Sequence, residues 1–168
     1  MCAMDVLYGA IGPEQIGLVA PLLDDADLGV RWRTAHTLGR MRDPQVIPLL
    51  APLLADASSW MRMRVVQALG MSREVSAIPI LSQALVDTHY SVRLEAVKAL
   101  GALRNPSIVP SLIPLLSDSD WRTRAAAVRA LGGLQDPQVV PLLTPLVAAS
   151  AYTVRQATRI ALRPLVKV

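Results

Sequence analysis

Glycines stand at positions 39, 70, 101 and 132, each closing a similar tetrad (HTLG, QALG, KALG, RALG), and the spacing is 31 residues every time. Eight residues before each glycine is an arginine (Arg31, Arg62, Arg93, Arg124), and the series runs on to Arg155 although Arg163 takes the place of the next glycine. Six residues before those arginines come Asp25, Asp56, Asp87 and Asp118, with Ala149 in the fifth place. Pro48, Pro79, Pro110 and Pro141 keep the same register. Ungapped self-similarity at this period means stacked supersecondary units, each burying its apolar face against its neighbours.

Each unit reads as an antiparallel pair of helices. In the second, typified by VRLEAVKALGAL, Val92, Ala96, Val97, Ala99 and Leu100 form one apolar face while Arg93, Glu95 and Lys98 fall elsewhere. Gly101 reads as the left-handed residue that ends this helix. The first helix follows loops such as RDPQ and QDPQ, where Asp43 or Asp136 can cap and Pro44 or Pro137 suits the first helical position. Val46, Ile47, Leu50, Leu53 and Leu54 carry its apolar spacing.

That first helix poses a physical problem. Pro44, Pro48 and Pro52 lie four residues apart on one stripe. Each lacks an amide hydrogen and crowds the carbonyl four residues back, at a cost of about 3 kcal/mol in a straight helix interior. The first helix must therefore kink or start late, with the freed carbonyls turned outward to water. The segments 44–55, 75–86, 106–117 and 137–148 also contain no charged residue. Leu49, Pro52, Ile80, Leu142 and Pro145 hold places where a solvated helix carries Glu or Lys, so the convex side is a candidate interface with another chain.

At 168 residues and 52% hydrophobic content the chain suits one domain with a continuous core. A single cysteine, Cys2, excludes an internal disulfide framework and fits a reducing compartment, which makes the cytoplasm the expectation. The opening MCAMDVLYGAIG does not make a secretory signal, and prolines punctuate the longest uncharged run, 137–154, so no membrane span is expected. No catalytic or metal constellation stands out. His36 and His89 occupy different repeat positions, Asp24, Asp25, Asp27, Asp118 and Asp120 sit in turns where capping explains them, and Gly132 with Gly133 belongs to a helix end. Neither a cofactor nor a metal is expected.

The pattern DPxVVPxLxxLLxDxxxxVRxxAxxALGxL resembles the HEAT repeat in its short bacterial, phycobilin-lyase-type form. The resemblance implies an all-α solenoid of about five helix pairs: a half repeat at 1–8, repeats at about 9–39, 40–70, 71–101, 102–132 and 133–163, and a tail at 164–168. It implies an aspartate–arginine ladder between neighbouring repeats, which makes Arg31, Arg62, Arg93 and Arg124 structural. It also implies that the second helices line the concave side. The stripe three and seven residues before each glycine is then Trp32 and His36, Met63 and Gln67, Leu94 and Lys98, Ala125 and Arg129, and finally Gln156 and Ile160. Trp60 and Trp121 lie near the loops, Arg33 and Arg64 beside the stripe, and Arg40 at its end. Trp, Met and Arg are enriched in protein interfaces.

Three functions are consistent with this reading. The first is a non-enzymatic scaffold holding a protein or peptide, with Trp32, Arg33, His36, Arg40, Trp60 and Arg64 as the best single site. Self-association through the convex face or through uncapped apolar ends accompanies it. The second, implied by the repeat subtype, is a phycobilin-lyase-like factor in which Arg33, Arg64 and Glu95 serve a bilin. The third, nucleic-acid binding, is disfavoured because Leu94, Ala125 and Gln156 break the basic stripe.

Overall fold

The computed structural model describes residues 13–166. The half repeat at 1–8 and Cys2 lie outside the described residues. Five helix pairs follow one another, and no strand occurs among the described residues. The α-helical parts of the first helices are α1 (Ile16–Val19), α3 (Val46–Leu50), α5 (Ile78–Gln83), α7 (Val109–Leu112) and α9 (Val140–Leu143). The second helices are α2 (Leu28–Arg40), α4 (Ser59–Ser72), α6 (Tyr90–Leu103), α8 (Trp121–Gly132) and α10 (Tyr152–Leu162).

The proline stripe is resolved by breaking each first helix. After a short α turn the chain tightens into 3-10 geometry over Ala20–Asp24, Ala51–Ala55, Ile113–Ser117 and Thr144–Ala148, with Pro21, Pro52, Pro114 and Pro145 as the second residue of those segments. A proline there is missing a donor that a helix start leaves free anyway. The third repeat is a natural control: Gln83 replaces the proline, and α5 lasts six residues where α7 and α9 last four. Gln83→Pro is accordingly expected to cost less than about 1 kcal/mol in urea unfolding, against the roughly 3 kcal/mol of a proline placed inside a continuous helix. Pro44, Pro48, Pro52, Pro79, Pro110, Pro114, Pro141 and Pro145 are all exposed, so the stripe does face water. Asp43 and Asp136 accept from the amides of Gln45 and Gln138 at 2.8 and 2.9 Å, as expected of caps.

The glycines play a different part from the one expected. Among the described residues no glycine has a positive φ; the left-handed residues there are Arg42, Arg73, Arg104 and Gln135, three places further on. The repeat glycine instead lets neighbouring second helices touch. A Cβ built on Gly70 would lie 2.8 Å from the Cβ of Ala99, one on Gly101 2.8 Å from that of Ala130, one on Gly132 against Ala161, and one on Gly39 against the backbone of Ala68. Each second helix packs closely on the next, whereas successive first helices make few contacts. A row of rods drawn together on one side bends toward that side, which places the second helices on the inner face.

Core residues such as Leu50, Met61, Leu69, Leu81, Leu100, Leu112, Leu131 and Leu143 are fully buried between the two rows. The ladder sits at the turns within each pair. Arg62 Nε and Nη2 donate to Asp87 at 2.7 and 2.8 Å, and Arg93 repeats the fork on Asp118 at 2.7 and 2.9 Å. Arg31 approaches Asp56 at 3.5 Å. The remaining Nη1 of each arginine bonds its own turn, Arg62 to the Asp56 carbonyl at 2.9 Å and Arg93 to that of Asp87 at 2.8 Å. Arg124 keeps this last bond, at 2.6 Å to the Asp118 carbonyl, but has Ala149 where its carboxylate would be.

Candidate ligand groove

The stacked geometry splits the expected inner stripe in two. Three residues before each glycine position, His36, Lys98, Arg129 and Ile160 are exposed and Gln67 is half-buried. Seven residues before, Trp32, Met63, Leu94 and Gln156 are half-buried, and Ala125 is fully buried, contrary to its expected place on the surface. A helix in a solenoid has neighbours on both flanks as well as behind, so only a narrow sector remains open. The outer face shows the same narrowing. Pro52 and Pro145 are exposed, but Leu49, Ile80 and Leu142 are half-buried against the core, and the apolar side chains that do stand out are Leu18, Val86 and Ile113.

The strongest cluster on the inner face forms where α2 meets α4. The Trp32 ring meets that of Trp60 edge-on at 6.0 Å and that of His36 at 5.9 Å. The Arg64 guanidinium lies over both indoles, 5.4 Å from Trp32 and 5.0 Å from Trp60, and its Nη1 donates to Gln67 Oε1 at 2.9 Å. Such cation–π packing orients a guanidinium without neutralising it. The Nε of Arg64 is buried without a hydrogen-bond partner. Burial, and then the charges of Arg40 and Arg64, hold the His36 imidazole below its ordinary pKa, so it is neutral at pH 7.

A groove of about 870 Å³ opens beside this cluster across three second helices, α2, α4 and α6. Trp32, His36, Arg40, Arg64, Gln67 and Lys98, all placed on or beside the inner stripe in the sequence analysis, line it. Trp60 borders it through its contacts with Trp32 and Arg64, whereas Arg33, Met63, Leu94 and Arg129 lie outside its lining. Arg42, Met71 and Arg73 belong to it and were not anticipated, although Arg42, Arg73 and Arg104 recur at the 31-residue spacing. Lys98 pairs with Glu95 at 3.1 Å on the groove wall. Among the described residues no group of three or more His, Cys, Asp or Glu is placed to hold a metal ion, and no helix is long and apolar enough to cross a membrane.

A family model described as HEAT repeats matches residues 17–93 and 81–163. The chain is a HEAT-repeat protein. Its described helices agree with that assignment, and no curated protein matches it. Among solved structures, this HEAT-repeat protein is similar to a chain of the complex of CpcE and CpcF of phycocyanin lyase from Nostoc sp. PCC7120, with 24% identity and a TM-score of 0.76 over 89% of this chain and 64% of that one. It thus spans just under two thirds of that chain. It is also similar to a designed armadillo repeat protein in complex with the peptide (KR)4, with 20% identity and a TM-score of 0.69 over 95% of this chain and 89% of that one. Computationally designed armadillo repeat proteins for modular peptide recognition match with 20% identity and a TM-score of 0.63 over 95% and 90%. At these identities the likeness is one of fold.

Proposed function

We propose that this HEAT-repeat protein is a non-enzymatic scaffold that holds a protein or peptide segment on the inner face of its second helices. The observation that carries this reading is the Trp32–Arg64–Trp60 cluster at the edge of a groove spanning three repeats. Trp and Arg are the residue types that most often dominate binding energy, and here both are partly exposed and held in fixed orientation by each other. The similarity in fold to a designed armadillo repeat protein in complex with the peptide (KR)4 supports this reading.

Co-purification of the tagged protein followed by mass spectrometry tests the proposal. The doubly substituted Trp32→Ala, Trp60→Ala protein is expected to recover its main partner at least about tenfold less well than the parent, as for loss of a hot spot of about 2 kcal/mol. Equal recovery by a variant with the parent's circular dichroism would remove the inner face from consideration.

A second reading, a chromophore-handling factor of the phycobilin-lyase kind, draws on the similarity to the phycocyanin lyase complex. It also draws on the shared groove of Arg64 and Glu95, an arginine for a propionate and a carboxylate for pyrrole nitrogens. Arg33 does not line that groove. Visible absorbance on titration with phycocyanobilin decides the matter, since an unchanged bilin spectrum excludes this reading.

A further inference from the structure

Within the inner-face reading just given, the charge of the groove points to the chemistry of the partner. Arg40, Arg42, Arg64, Arg73 and Lys98 converge on it, and Glu95, already engaged by Lys98, is the one carboxylate among its lining residues. These are not the ladder arginines, whose guanidiniums are spent on Asp56, Asp87 and Asp118. With His36 neutral, the excess positive charge is permanent across the physiological range.

Arg42 and Arg73 add an independent point. Both are exposed and both hold a left-handed backbone, with φ of 52° and 56°. Glycine or asparagine takes that conformation with far less strain. A cation near a helix C-terminus is favourable, yet that gain is met equally by a charged residue one turn earlier. Arg104 keeps the same backbone outside the groove lining, so the turn accepts arginine along the array; what sets Arg42 and Arg73 apart is that both side chains reach the groove.

We propose that the segment bound in this groove is an extended acidic peptide stretch of a partner protein, its carboxylates paired with Arg42, Arg73 and Arg40 and its apolar groups set beside Trp32. Second helices pack at about 8–10 Å, so the three that form the groove span about 20 Å, which five or six extended residues cover. A duplex nucleic acid fits less well. The exposed inner row of charges ends in Ile160, its flank is closed by buried Ala125, and Glu95 faces the groove.

The test is titration of the full chain with octaglutamate and with octalysine, followed by tryptophan fluorescence and calorimetry. Octaglutamate is expected to bind, to weaken about tenfold between 50 and 300 mM salt, and to weaken at least about tenfold again in Arg42→Gly, Arg73→Gly. Those substitutions remove charge while relieving the left-handed backbone, so the variant keeps its Tm within about 3 °C and a lost fold cannot explain lost binding. Arg104→Gly, in the same register but outside the groove lining, should change binding less than about twofold. Equal binding of octalysine, salt-insensitive binding, no effect of the Arg42→Gly, Arg73→Gly pair, or tighter binding of a random DNA duplex or of biliverdin would each overturn the proposal. Partner recovery that still depends on Trp32 and Trp60 while octaglutamate fails to bind would overturn the acidic assignment alone. Recovery that survives loss of both tryptophans would remove the inner-face reading on which it rests.

Discussion

Asp118→Ala is expected to destabilise the fold by about 3 kcal/mol, the scale on which breaking one side of a desolvated, hydrogen-bonded pair is felt. The Asp118 side chain is only 6% exposed, holds the Arg93 fork, and accepts the Asp120 amide at 2.8 Å, so one substitution deprives Arg93 of its carboxylate and uncaps a turn together. The reverse experiment is available within the same chain. Ala149 already has the backbone of the ladder aspartates, with φ −55° and ψ 146° against −55° and 147° at Asp118. Ala149→Asp should therefore supply Arg124 with its missing partner without rearrangement and raise stability by about 1 kcal/mol. Urea unfolding checks both; no loss in the first and no gain in the second would show that the ladder is ornamental.

The pH dependence follows from the same groups. The side-chain hydrogen bond from Arg62 holds Asp87 below the usual carboxylate range. For Asp118, burial pushes upward, but the bonds from Arg93 and from the Asp120 amide outweigh it and the result is again a lowered pKa. The folded chain thus binds these protons less readily than the unfolded one. The stabilisation is fully present above the unfolded value of about 3.9 and is lost as pH falls through the folded values. The urea midpoint should hold steady from pH 7 to pH 5 and fall below pH 4, and Asp118→Asn should flatten that fall.

Gly39→Ala and Gly101→Ala come next in size. Helix propensity by itself favours alanine over glycine by about 0.8–1 kcal/mol in a helix interior, so local reasoning predicts some stabilisation even for these two glycines in the last turns of α2 and α6. The packing predicts the opposite. At Gly101 the added methyl would sit 2.8 Å from the Ala130 Cβ and 3.3 Å from its Cα, and at Gly39 it would strike the Ala68 backbone, which has no side chain to turn aside. Overpacking of this kind costs about 1–3 kcal/mol, with Gly39 at the upper end. Exchanging the pair, Gly101→Ala with Ala130→Gly, should recover most of the loss, which thermal unfolding of the three variants would reveal. A stabilised Gly101→Ala would mean that the helices stand further apart than described.

How far these features could be read from the sequence differs residue by residue. The buried face Val92, Ala96, Val97, Ala99 and Leu100 was legible because a fixed period ties each residue to an equivalent one and the same solution must serve every repeat, whereas the pairing of Arg62 and Arg93 with aspartates was implied by the resemblance to the HEAT repeat. The role of Gly101 was not, since a glycine near a helix end is used both for left-handed turns and for close approach, and only the neighbouring helix distinguishes them. Arg42 and Arg73 were missed because an arginine three places past the glycine looks like an ordinary helix end until its backbone and the groove are seen.

The covalent order of residues by itself determined that helix pairs stack, which side chains fill the space between them, and that the proline flanks face water, because periodicity and sterics act over a few residues. Tertiary structure alone decided which part of the inner stripe stays open, and that five cations borne by three second helices and the turns after them share one groove. Those depend on how closely neighbouring helices approach, a distance set between residues about thirty positions apart and invisible to any local pattern.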